Sequence, residues 1–179
     1  MKFNELFKEI SPNEICNNMF TMVENDFFVV TSGKKEHYNS MIGSGGGFGT
    51  LFKKPTTWCI FKADRYTLEI IEKEQTYTLS YFSDEYKKEA LLLGNESGKY
   101  SDKMKNTKLK CIEMPNNDIC FQEARLIIQC KLTQITTPNP KDFYADEAKK
   151  YIEEAYKDST SYRKFVFGEI THVWIKNNI

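Results

Sequence analysis

Apolar and polar positions along the chain fall into short runs, most of them with the two-residue period of β-strands. Asp26 to Ser32 carries Phe27, Phe28, Val29, Val30 and Thr31 and stops at Gly33. After the polar turn Gly33-Lys34-Lys35-Glu36, His37 to Ile42 returns as a second strand. Thr57 to Ala63 is mostly apolar, the pattern of a buried strand. Thr76 to Phe82 sets Tyr77, Leu79 and Tyr81 against Thr78, Ser80 and Phe82. Leu109 to Glu113 and Ile119 to Ile135 read as strands, the second long enough to be bulged or broken, and Lys164 to Ile175 is the last strong one.

Three stretches switch to the helical period. Leu68 and Ile71, with Glu69, Ile70, Glu72 and Lys73 between and after them, fit a short amphipathic helix with Thr67 as its N-cap. Ser83 opens a second, Asp84 to Leu93, with acidic residues in its first turn and Gly94 as its stop. Pro138 and Pro140 precede a third, Asp142 to Tyr156. Strands and helices do not alternate strictly, which argues against a doubly wound parallel sheet. The pattern predicts a mainly β fold with helical insertions, either α+β or a barrel. With no repeat, low-complexity tract or linker, residues 1–179 are expected to form one domain.

Composition narrows the function classes. Lys+Arg and Asp+Glu both number 25, so there is no basic excess to drive nucleic-acid or anionic-membrane binding. No run approaches about 20 apolar residues, and Met1 to Ile10 holds no signal-peptide core, so the expectation is a cytoplasmic protein with no membrane span. The five cysteines (Cys16, Cys59, Cys111, Cys120 and Cys130) form no CxxC pair, and His37 and His172 are the only histidines. Neither a disulfide framework nor a zinc site is expected. Thirteen Phe and ten Tyr suit both β structure and stacking on planar ligands.

Three segments could carry chemistry. Gly43-Ser44-Gly45-Gly46-Gly47-Phe48-Gly49 has five glycines in seven residues. It lacks a P-loop ending and opens no helix, so it is either a flexible connection or a place where backbone approaches a ligand. Arg65-Tyr66-Thr67 stands between a buried strand and a helix start. There, a guanidinium, a hydroxyl and helix-end amides could hold a phosphate, or Arg65 could simply pair with Asp64 or Glu69 at the surface. The loop Ser97-Gly98-Lys99 with Ser101-Asp102-Lys103 offers hydroxyls and ammonium groups, or is merely solvated. No self-sufficient acid/base or nucleophile set stands out, which points to chemistry belonging to a cofactor.

In their order and spacing these features resemble the flavin reductase family, in its flavoredoxin-like branch. The residues that carry the resemblance are Tyr38-Asn39-Ser40-Met41-Ile42-Gly43-Ser44, Phe48-Gly49, Lys54-Pro55, Ala63-Asp64-Arg65-Tyr66-Thr67 and Tyr77 to Phe82. It continues through Leu93-Gly94-Asn95-Glu96-Ser97-Gly98, Asp102-Lys103, Phe121 to Arg125 and Phe167-Gly168-Glu169-Ile170. The resemblance implies a split β-barrel that binds FMN at a homodimer interface. Asn39, Ser40, Met41, Ile42, Gly43 and Ser44 would run along the isoalloxazine. Arg65, Tyr66 and Thr67, with Ser97, Gly98 and Lys103, would hold the ribityl phosphate. It further implies an oxidoreductase taking electrons from NAD(P)H. The alternatives are a flavoredoxin-type carrier fed by a protein, or a protein that only holds flavin. Two positions depart from the family pattern: Gly45 stands where relatives often have tryptophan, and Ser161-Tyr162-Arg163 where they often have Asp-Tyr-His. The first removes an aromatic cover for the flavin, and the second changes the donor choice or brings a second cation near the flavin. Both therefore bear on reductase activity more than on the fold or the FMN. His172 and Trp174 on the last strand are expected to serve packing.

Overall fold

The structure, a computed structural model, describes residues 2–24, 26–95, 97–100, 103–157 and 162–177. Its elements in chain order begin with a short helix α1 (Phe3–Leu6), strand β1 (Phe7–Ile10) and helix α2 (Met19–Glu24). Strands β2 (Phe28–Lys34), β3 (His37–Gly43), β4 (Gly46–Leu51) and β5 (Lys54–Lys62) follow, then helix α3 (Tyr66–Glu74) and strand β6 (Thr76–Tyr81). Helix α4 (Lys87–Asn95) leads to β7 (Cys111–Glu113), β8 (Ile119–Phe121) and β9 (Leu126–Thr136). Helix α5 (Asp146–Ala155) and strand β10 (Arg163–Lys176) complete the chain.

The main sheet is antiparallel in the order β3-β2-β6-β9-β10-β5-β4, with β1 also pairing on β10. Its first and last strands, β3 and β4, are joined by Ser44 and Gly45 alone. Three Cα steps reach at most about 11 Å, whereas a flat sheet of seven strands would hold its edges roughly 29 Å apart at ~4.8 Å per spacing. The sheet must therefore curl until its ends meet, and the Ile60 amide donates to the Gly45 carbonyl at that junction. This is the barrel that the pattern left as one of two options.

Side chains on the central strands are buried on both faces. On β2 and β9, Val30 and Ile128 join the cluster inside the barrel with Phe28, Tyr77, Leu79, Tyr81 and Val166. Their neighbours Val29 and Ile127 pack outward against Phe82, Ala90, Leu93 and Phe121. The β7–β8 hairpin covers that outer layer, tied down where Thr78 Oγ1 donates to the Ile119 carbonyl at 2.8 Å.

Several expectations need correction. The glycine segment is not a flexible connection, since Gly46–Leu51 is a strand along β5. Side chains at Gly46 and Gly47 would overlap the Trp58 backbone and indole, so the glycines let Trp58 lie against β4. Thr67 is not the N-cap of α3. Arg65 holds that place without a side-chain cap, and Thr67 is buried one position inside the helix start. Gly94 does not stop its helix but lies within α4, close on Ile42. The 119–135 run breaks at residues 122–125, and the third helix starts at Asp146 after a 3₁₀ turn at Pro140–Asp142. Strand β1 was not anticipated.

The β4–β5 turn carries strain. Phe52 and Lys53 form its two-residue tip, both with left-handed backbone (φ 53° and 63°), and Phe52 is 77% exposed. Such a turn favours Asn-Gly. Replacing the pair (Phe52→Asn with Lys53→Gly) is expected to stabilise the fold by about 1–2 kcal/mol, because left-handed backbone disfavours both present residues. The change is measurable as a higher urea midpoint; an unchanged or lower midpoint contradicts it.

Candidate functional site

The strand-to-helix junction after β5 sets the site. The Leu68 amide bonds back to the Arg65 carbonyl at 2.9 Å, which leaves the Tyr66 and Thr67 amides at the open end of α3. The Arg65 side chain does not cap them, so among the described residues they present the positive end of the helix to the adjoining space. Beside them Arg65 is exposed, and no carboxylate among the described residues pairs with it. Glu69, one of the partners considered for it, is instead held by Lys99 at 2.9 Å. The surface-pairing reading of Arg65 is thus not what the geometry gives.

Thr67 lost its capping role but gained another. Its Oγ1 accepts from Asn39 Nδ2 at 2.8 Å, so its own proton remains available to an outside acceptor. Asn39 lies on β3, and Gly98 sits so close to it that a Cβ there would overlap Asn39 Oδ1. Strand, helix start and the 97–100 loop therefore meet at one point. Lys103 is buried beside them (4% exposed), its Nζ donating to the Leu93 carbonyl at 2.9 Å.

These groups line a cavity of about 610 Å³, within the range of small-molecule sites. Asn39, Met41, Ile42, Arg65, Tyr66, Thr67, Ser97, Gly98 and Lys103 all reach it. Gly43 and Ser44 line a second, adjoining cavity of about 300 Å³, which shares Met41, Ile42 and Arg65 with the first. Ser40 reaches neither, because its hydroxyl is buried against Thr31 Oγ1 at 2.8 Å. Of the loop considered with it, Glu96, Ser101 and Asp102 lie outside the described residues, as does Ser161.

Tyr66 contributes its backbone more than its hydroxyl, which sits 3.2 Å from His37 Nε2. Lys99 stacks its ammonium 5.9 Å from the Tyr66 ring centre, and neighbouring Glu69 raises the Lys99 pKa. Among the described residues strand β3 pairs with β2 alone, so every second residue along it turns its N–H and C=O to the open edge. The cavity thus has a polar strand edge at one end and a cationic, amide-rich pocket at the other. Leu91, Leu93 and Gly94 of α4 supply an apolar wall that sequence reasoning missed. The signal was there: Leu91-Leu92-Leu93 cannot all face the core of so short a helix, and Leu91 is 46% exposed.

Buried thiols and phenols lie elsewhere. Burial raises the pKa values of Cys59, Tyr77, Tyr81 and Cys130, which belong to the barrel interior and do not line the cavities. His172 stacks on Trp174 at 6.2 Å on β10, away from both cavities. Among the described residues no helix is long and apolar enough to cross a membrane.

No family model and no curated protein matches the sequence. Solved structures do match the fold. One is a protein assigned as a flavin reductase with a split barrel domain from Shewanella frigidimarina NCIMB 400 (TM-score 0.65, 17% identity, covering 86% of this chain and 68% of that one). Another is the FMN-binding domain of a flavin reductases-like enzyme from Shewanella baltica OS155 (TM-score 0.66, 13% identity, covering 94% and 76%). A third is the flavoredoxin of Desulfovibrio vulgaris (Miyazaki F) (TM-score 0.63, 17% identity, covering 93% and 76%). The curled antiparallel sheet with its helical insertions is accordingly the split-barrel fold of flavin reductase-like and flavoredoxin proteins.

Proposed function

We propose that the whole chain works as one FMN-binding domain of the oxidoreductase kind, most simply an NAD(P)H-dependent flavin reductase. The observation that carries this reading is the uncapped start of α3 with an unpaired Arg65 beside it, opening onto the same cavity as the free edge of β3. A flavin mononucleotide needs those two features together: cations and amides for its phosphate, and backbone donors and acceptors for the polar edge of its ring.

In this reading Arg65, the Tyr66 and Thr67 amides, the Thr67 hydroxyl and Lys103 hold the phosphate, while Ser97 and Gly98 close the loop over it. Backbone groups of Asn39 and of Met41 to Ser44 meet the polar edge of the ring, while Ser40, which reaches neither cavity, serves only to hold the strand. Met41, Ile42 and Leu91 supply apolar contact. FMN, when bound, supplies the hydride and electron chemistry, which requires no side-chain acid or base. The positive field of Lys103 and the α3 terminus favours extra negative charge on a bound ligand.

Asn39 is the strut of this arrangement. Gly98→Ala would force its amide aside and break the bond to Thr67. We expect FMN affinity to fall about tenfold, the cost of roughly one hydrogen bond, with the melting temperature nearly unchanged. Fluorescence titration of FMN checks this, and unaltered affinity contradicts it.

A homodimer and a cytoplasmic location belong to the same reading. Sedimentation of the purified protein tests the homodimer. The donor is tested by adding NADH or NADPH anaerobically to the FMN-loaded protein. Bleaching of the oxidised flavin bands by either nucleotide supports the reductase. Bleaching by dithionite alone shifts the reading to a flavoredoxin-type carrier fed by a protein partner.

A further inference from the structure

Helix α5 carries an aromatic side chain that packing does not explain. Ala148, Tyr151, Ile152 and Ala155 follow the spacing of one helix face. Ile152 of that face is buried, and Ala148 and Ala155 are half-buried, so it is the face turned to the body of the protein. Tyr151 shares it but stays 59% exposed, because it stands at the smaller cavity instead of on the core. The same cavity is lined by Gly43, Ser44 and Gly45, the end of β3 and its link to β4. A side chain at Gly45 would meet only Ile60, at ordinary contact distances of 3.7 and 3.8 Å, so the backbone there is bare. Bare backbone and a phenol thus border one opening of about 300 Å³. That combination suits a flat ring, which can lie along the backbone and stack on the phenol.

The helix is anchored where it can keep Tyr151 in that place. Tyr156, one residue past α5, donates its hydroxyl to the Pro138 carbonyl at 2.9 Å and packs on Tyr162 with 4.6 Å between ring centres. The Tyr162 carbonyl accepts from the Ala63 amide at 2.7 Å, two residues before Arg65. Helix α5 is thereby tied to the strand end that sets the phosphate pocket. We infer that Tyr151 stacks on the outer face of the bound isoalloxazine, with the ring between its phenol and the Ser44–Gly45 backbone. The inference rests on the flavin reading for the identity of the ring. It adds a side chain that holds the ring independently of the phosphate.

The test compares Tyr151→Phe and Tyr151→Ala with the wild-type chain in titrations of FMN and of riboflavin. Absorption follows uptake, and emission follows the surroundings of the bound ring. A phenol stacked on an isoalloxazine quenches its fluorescence by electron transfer, whereas a phenyl ring in the same place keeps the contact but does not donate an electron. Tyr151→Phe should therefore keep both affinities and make the bound flavin several-fold brighter. Because this variant leaves the packing of α5 intact, its emission is a readout that a purely structural role would not move. Tyr151→Ala should brighten the flavin as well and weaken FMN and riboflavin alike by about 3- to 10-fold, the contribution of one aromatic stack. Emission unchanged in Tyr151→Phe overturns the inference. So does a Tyr151→Ala variant with unchanged riboflavin affinity, since the side chain would then not touch the ring. A wild-type protein that stays colourless with either flavin contradicts the flavin reading itself, and the inference with it.

Discussion

Arg65→Ala is expected to weaken FMN binding by about 10- to 100-fold while leaving riboflavin binding unchanged. The reasoning starts from what Arg65 lacks. It is exposed at the mouth of the cavity, its neighbour Glu69 is taken by Lys99, and its backbone already serves as the N-cap of α3. Its guanidinium therefore loses no partner in reaching a phosphate. A charge-assisted bond of this kind contributes about 1.5–3 kcal/mol, which is the fold-change stated. Riboflavin has no phosphate and should not register the loss. Arg65→Lys should fall between, because an ammonium keeps the charge but not the two-pronged geometry. Equal losses for FMN and riboflavin would mean that Arg65 acts on the ring or on folding, and the phosphate assignment would fail.

The largest effect on stability should come from Asp118. This carboxylate is buried (3% exposed) where the β7–β8 hairpin meets the barrel. It binds Lys34 Nζ at 2.6 Å, Asn116 Nδ2 at 2.7 Å, Gln129 Nε2 at 2.8 Å and Thr76 Oγ1 at 2.9 Å. Asp118→Ala orphans several of these donors at once, and we expect a loss of about 3 kcal/mol. For a chain of this size that is a fall in melting temperature of roughly 6–12 °C. Lys34→Ala should cost under about 1 kcal/mol, because the lysine side chain is 43% exposed and water replaces its partner.

The pH dependence has a definite sign. Burial by itself raises the Asp118 pKa, but hydrogen bonds from Lys34, Gln129, Asn116 and Thr76 outweigh it and hold the carboxyl below its usual value. A carboxylate with a folded pKa below the unfolded value adds stability above the unfolded value of about 3.9. That stability disappears as pH falls through the folded value. Melting curves from pH 7 downward should therefore lose stability below about pH 4, and Asp118→Ala should lack this part of the decline. An identical acid profile in the variant contradicts the assignment.

The sequence made the local parts of this fold legible. Strands β2, β6 and β10 are built from β-branched and aromatic runs, so their signal is contained within each run, and β3 was legible as the return from the polar turn after β2. Elements that depend on distant partners were not readable. Strand β1 finds its strand partner in β10, more than 150 residues along the chain. Strand β4 is half glycine, with little propensity of its own, and is a strand because β5 and the Trp58 side chain lie against it. The site divides in the same way. Arg65-Tyr66-Thr67 stood out because the junction of a strand and a helix is a local event. The roles within it did not: Thr67 pairs with Asn39, 28 positions away, and Ser40 turns to Thr31 instead of the cavity. The α4 wall and the cations of the second cavity come together only when the sheet curls.

One measurement tests the central claim most directly: the visible absorption spectrum of the purified protein, as isolated and after incubation with FMN and removal of free ligand. The account predicts oxidised-flavin bands retained by the protein in near-stoichiometric amount, and lost in Arg65→Ala under the same wash. A colourless wild-type protein that also fails to take up added FMN would contradict it, leaving the barrel without the function proposed for it.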